Sequence, residues 1–155
     1  MSDELYFDDF HLGQKFQSNG AVKITAQEIT EFAQKYDLLP FHLDEAAGKS
    51  TFFQGQAASG WLTAALVMRM RVETIHVHGG MIGAGVEEIR WTLPVRPGDS
   101  LHNVTEVVGL RLSKSRPELG LVTIYTLTLN QRDEVVMKST VKFLAPVRAA
   151  ATATA

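Results

Sequence analysis

The sequence predicts an α+β fold, a single domain in which one long apolar helix packs against a curved antiparallel sheet. Two features lead to this class. From about Ser59 to Glu73 nearly every position is apolar or small until the arginines, with no period of two. From Gly79 onward the chain becomes alternating segments joined by tight turns. A length of 155 residues, 45% hydrophobic and 21% charged, suits one core.

A short strand is expected between Lys15 and Ile24. At Thr25 the run T-A-Q-E has the form of a capping box, with Ile24 and Ile29 placed to form a hydrophobic staple. Ile29, Phe32, Ala33 and Tyr36 then recur at helical spacing, predicting an amphipathic helix over 26–36. It delivers the chain into Y-D-L-L-P-F-H-L-D, residues 36–44. Next comes the Ser59–Glu73 helix, about 22 Å long at 1.5 Å per residue. A helix apolar on all sides has to be surrounded by protein, and Arg69 and Arg71 are read as the place where it returns to solvent. Gly60, near its start, lets a backbone or ligand approach closely, and first-turn amides lack partners within a helix.

The second half reads as an antiparallel meander. M-I-G-A-G-V-E-E-I-R-W-T-L-P-V ends at the turn R-P-G-D; the segment containing Val104–Val108 ends at R-P-E-L-G. L-V-T-I-Y-T-L-T-L-N-Q turns through R-D-E into V-V-M-K-S-T-V-K-F-L-A-P. The domain is expected to span 1–147, with 148–155 a tail that has too little to bury.

Composition narrows the function. With no cysteine, thiol catalysis, thiolate-bound zinc and iron–sulfur clusters are excluded. A net charge of -2 gives no general attraction to nucleic acid or to an anionic membrane. No apolar run approaches the roughly 20 residues that cross a bilayer. The start M-S-D-E-L-Y-F-D-D-F is acidic and lacks the layout of a signal peptide, so the cytoplasm is the expected location and a small molecule the expected partner.

The stretch Y-D-L-L-P-F-H-L-D-E-A-A, followed by A-A-S-G-W-L-T-A-A-L, resembles the hydratase signature of the MaoC-like dehydratase family. L-P-V-R-P-G-D-S-L and R-L-S-K-S-R-P extend the likeness over residues 5–147. The resemblance implies the hot-dog fold, a homodimer or an assembly of dimers, and action on acyl thioesters of coenzyme A or a carrier protein. The reaction it implies is interconversion of a trans-2-enoyl-CoA and a 3-hydroxyacyl-CoA, with neither cofactor nor metal. Carried onto this chain, Asp37 and His42 become the acid–base dyad that holds a water. The backbone N–H of Gly60 becomes the donor to the thioester oxygen, where a helix N-terminus favours negative charge.

Tyr36, Leu39, Ser59 and Trp61 are the expected substrate neighbours. Arg111, Lys114 and Arg116 are read either as contacts to coenzyme A phosphates or as a solvated hairpin tip. Where the family motif has glycine and asparagine this chain has Tyr36 and Leu39, so Tyr36 is expected to narrow the acyl tunnel, and the loop, its polar anchor replaced by Leu39, is expected to be held by packing alone. Ser59 replaces a frequent histidine and is expected to cap the helix.

Plainer readings stand beside these. Asp37 and His42 form an ordinary turn, Asp44 caps the turn after it, Gly60 serves close packing, and His76-x-His78 is a polar strand edge rather than a metal site. Two other functions are weighed: a hot-dog thioesterase, disfavoured because no acidic residue lies between Glu45 and Glu73, and a non-catalytic acyl-thioester-binding subunit.

Overall fold

The computed structural model describes residues 3–148, so the expected tail lies almost wholly outside the described residues. Two short strands, β1 (Lys15–Gln17) and β2 (Val22–Lys23), stand where one was expected. A turn separates them at Gly20, whose φ of 74° is a left-handed conformation that glycine adopts without strain. Helix α1 (Ala26–Tyr36) begins as its sequence dictates, with Thr25 Oγ1 accepting from the Glu28 amide at 3.1 Å. Ile24 and Ile29 are both fully buried in one cluster.

Two single-turn helices follow, α2 (Pro40–Leu43) and α3 (Glu45–Gly48). Proline at the first position of α2 suits a helix start, where no amide partner is needed. Asp44 caps α3 by accepting from Ala46 N at 3.1 Å. The central helix α4 (Gly60–Thr74) precedes four long strands: β3 (Ile82–Trp91), β4 (Ser100–Leu112), β5 (Leu119–Leu129) and β6 (Val135–Pro146). They form an antiparallel sheet in the order β1-β4-β5-β6-β3, with β2 also paired to β4.

Leu62, Leu66, Val67 and Met70 of α4 pack with Leu101, Val136 and Met137 of the sheet. A second cluster around Phe143, Ile124, Val107 and Ile75 fills the other end. The buried residues Asn103, Thr105, Thr126, Thr128 and Ser139 belong to neither apolar cluster. Arg71 enters this polar set, donating from Nε to Thr126 Oγ1 at 3.1 Å and from Nη2 to Ser139 Oγ at 2.5 Å.

The expectation that both arginines mark an exit to solvent is therefore corrected for Arg71. Successive helical residues turn by about 100°, so positions two apart face nearly opposite sides. Arg69 is exposed and paired with Glu73, whereas Arg71 is 4% exposed. The helix is also not enclosed all round, because Trp61, Ala65, Met68 and Val72 leave an apolar stripe bare. Strand β3 is a sheet edge, bonded only to β6. No helix among the described residues is long and apolar enough to cross a membrane.

Candidate active site

Proline-initiated α2 begins just beyond the end of α1, and this short reversal turns Asp37 and His42 toward each other. Asp37 Oδ2 lies 3.3 Å from His42 Nε2. The imidazole is buried and its other nitrogen, Nδ1, is 2.7 Å from the carbonyl oxygen of Ala57. A carbonyl can only accept, so Nδ1 carries a hydrogen. In the neutral ring Nε2 is then an acceptor, and with Asp37 ionised two acceptors face one another. They are too close to hold a water between them, but a water beside the pair can donate to either and turn a lone pair outward.

The loop is held by the backbone. Asp37 N donates to Ala33 O at 2.9 Å and His42 N to Leu39 O at 2.9 Å. Thr30 Oγ1 donates to Leu43 O, Gln56 Nε2 to His42 O, and Ala57 N to Phe41 O. The expectation that packing alone holds the loop is corrected: these hydrogen bonds anchor it, and Leu39 is 47% exposed.

His42 opens onto a pocket of about 560 Å³ with Gly60 and Thr63 of α4 on its wall. Phe41, Phe52, Phe53, Trp91 and Leu93 supply an apolar lining without a charged side chain. The Gly60 N–H has no acceptor among the described residues. Ser59 is buried and caps the helix, its Oγ accepting from Trp61 N at 3.3 Å. Trp91 explains why residue 60 has no side chain: its Nε1 donates to Gly60 O at 2.9 Å, and an added Cβ would lie 2.7 Å from that same nitrogen.

The structure brings Asp37 to His42 and puts His42 and Gly60 on one pocket wall, whereas Asp37, Leu39 and Ser59 are not part of that wall. It does not bring Tyr36, which is exposed and packed on Phe32, into the pocket wall, so narrowing of the tunnel by Tyr36 has no support in the chain itself. Trp61 is outside the wall too, exposed and edge-on to Trp91. Arg111, Lys114 and Arg116 belong to the β4–β5 hairpin, which lies beyond the far end of β4. Arg111 lies eleven positions along β4 from Ser100, roughly 35 Å, and Arg116 pairs with Glu118 at 2.6 Å. His76 and His78 meet Glu73 O and Glu4 instead of each other, and no metal-holding cluster occurs among the described residues.

Residues 9–131 match the family model described as MaoC like domain. The chain belongs to the MaoC-like family. A MaoC-like dehydratase from Rhodospirillum rubrum is 45% identical, with 93% of this chain and 98% of that one aligned at a TM-score of 0.88. The R-hydratase PhaJ1 from Pseudomonas aeruginosa, unliganded, is 27% identical over 94% of this chain and 88% of its own, with a TM-score of 0.75. The uncharacterized protein YdeM of Bacillus subtilis is 32% identical over 88% of this MaoC-like chain and 96% of its own length. The fold is accordingly the hot-dog fold.

The sequence did not single out the aromatic lining. F-F-Q-G-Q, lying between the dyad motif and the helix, held part of that signal, since it is too apolar for an ordinary loop. Trp91 ends a strand and gave no comparable sign.

Proposed function

We propose that this MaoC-like chain is an acyl-thioester hydratase/dehydratase that interconverts a trans-2-enoyl-CoA and a 3-hydroxyacyl-CoA. The observation that carries this reading is the approach of Asp37 to His42, 3.3 Å apart, with His42 sharing a pocket wall with Gly60. In the hydration direction, water oxygen bonds to C3 as the dyad takes its proton. The C2=C3 electron pair moves toward the thioester, and the resulting enolate oxygen receives the Gly60 N–H. The dyad then returns a proton to C2, the carbonyl reforms, and all atoms of water end in the product. Positioned acid–base groups supply about 10²- to 10⁴-fold in rate, and a preorganised amide donor roughly 10²- to 10³-fold.

A lining of phenylalanine, leucine, proline and valine suits an uncharged acyl group. Two relatives whose names read R-hydratase, from Pseudomonas aeruginosa and A. caviae, favour the R configuration at C3. Thioester hydrolysis is disfavoured because the first turns of α4 and the pocket wall carry no carboxylate.

The bare stripe of α4 supports a homodimer. An exposed apolar helix stripe, in a fold whose ten-residue edge strand is bonded on one side only and exposes Ile82 and Val86, is completed by a second copy laid along β3.

The test is a panel of short, long, branched and aromatic trans-2-enoyl-CoA esters, following loss of the conjugated double bond. Hydration of at least one supports the reading. Release of free thiol without hydration indicates a thioesterase, and binding without either reaction indicates a non-catalytic subunit; both contradict it.

A further inference from the structure

We propose that Arg96 is a positioning residue for His42, acting on the imidazole through the segment Phe53–Ala57. Residues 51–59 form neither helix nor strand, and Gln54 and Gly55 have φ of 56° and 156°. A stretch of that kind has few internal bonds to hold it. Yet its Ala57 carbonyl fixes the hydrogen on His42 Nδ1, and its Phe53 and Ala58 line the pocket. Something outside the segment must supply the order.

Several groups outside do so: Gly55 N donates to Gly48 O, Ala57 N to Phe41 O and Ala58 N to Val95 O, while two side chains grip the stretch between them. Glu45 Oε2 accepts from Gln56 N at 2.7 Å. On the other side the Arg96 guanidinium spans two carbonyls, donating from Nη1 to Gln56 O at 3.2 Å and from Nη2 to Phe53 O at 2.5 Å. Neither carbonyl has another donor among the described residues. Arg96 pairs with no carboxylate there either, so its fork is given wholly to this loop. Its own backbone is fixed by the buried Asp99, whose Oδ2 accepts from Arg96 N at 2.9 Å and whose Oδ1 accepts from Gln131 Nε2 at 2.9 Å. A turn of the sheet therefore reaches across and supplies the only donors among the described residues to the Phe53 and Gln56 carbonyls, on the stretch that leads into Ala57.

The planar fork is what allows one side chain to hold two carbonyls three residues apart. Glutamine is too short to span them, and lysine offers a single ammonium. Without the fork the Ala57 carbonyl drifts, the hydrogen on the imidazole is no longer confined to Nδ1, and Nε2 ceases to be a dedicated acceptor.

This inference rests on the hydratase reading for its kinetic consequence only. The test therefore pairs rate with ¹⁵N NMR of the His42 ring at about pH 8, where a free imidazole is neutral, assigned with His42→Ala. The wild-type ring should give the Nδ1–H tautomer. Arg96→Gln should give a mixture of tautomers and a kcat lower by roughly 10- to 100-fold, the scale of a small misplacement. Arg96→Lys should fall between. A folded Arg96→Gln with the wild-type tautomer and kcat overturns the proposal. If Arg96→Gln does not fold, Arg96→Lys decides in the same way. An inactive wild type would overturn the hydratase reading while leaving the tautomer measurement to judge Arg96.

Discussion

Gly60 answers to two demands, an amide without an acceptor among the described residues and space for Trp91, which lines the same pocket. Gly60→Ala should lower stability by about 1–3 kcal/mol through overpacking and reduce activity with it. A double-mutant cycle with Trp91→Ala, read by chemical denaturation, should show a coupling of about 1 kcal/mol or more; additive effects would mean the ring is not what forbids the side chain. Arg71 makes a different kind of prediction. Burial pushes its guanidinium pKa down to about 10. Because the folded value lies below the unfolded one, the unfolded chain binds more protons between those values, and stability rises with pH only in that alkaline window. At neutral pH the penalty is therefore fully present, about 3 kcal/mol for a shift of this size. Arg71→Met removes it but orphans the Ser139 hydroxyl, which costs about 1–3 kcal/mol. The variant should be as stable as wild type or more stable by up to about 2 kcal/mol. A loss beyond that range would show that the hydroxyl network outweighs desolvation.

Among the elements, those determined by neighbours in sequence were legible and those determined by distant partners were not. Helix α1 has the predicted bounds because Thr25, Ile24 and Ile29 act within one turn. The approach of Asp37 to His42 was expected from the resemblance, and the contact is local because six residues, a proline among them, contain it. The expected single strand over 15–24 broke at Gly20, and nothing in the composition indicated that both pieces would pair with β4. The 51–59 loop was illegible because its order comes from partners on either side of it in sequence, Phe41, Glu45 and Gly48 before it and Val95 and Arg96 after it. The N-terminal segment shows the same dependence. Arg148, just after β6, grips Asp9 in a two-pronged pair, Nη1 to Oδ1 at 2.8 Å and Nη2 to Oδ2 at 2.6 Å. The hydrogen bond from Arg148 holds the Asp9 carboxyl below its ordinary pKa. Its contribution is then complete above the unfolded carboxylate value and is lost as pH falls through the lowered folded one. Asp9→Asn should lower stability at neutral pH and flatten the acid limb of a denaturation-versus-pH series. An unchanged acid limb would leave this clasp without energetic weight.

The molecule as a whole carries an unfinished surface, with Trp61 60% exposed on α4 and Val86 61% exposed on the free edge strand. Light scattering should give at least twice the 17.1 kDa chain mass. Val86→Lys should shift it toward monomer, as a charge on an edge strand opposes pairing. A monomeric wild type would remove the second copy from the account. The pocket, the central helix and the reversal after α1 matter together only if the dyad activates water across from the Gly60 amide. The most direct measurement is therefore the hydration rate of the best trans-2-enoyl-CoA by wild type, Asp37→Asn and His42→Ala, with folding checked by circular dichroism. Each substitution should lower kcat by about 10²- to 10⁴-fold in a folded protein; wild-type rates in either would contradict the mechanism.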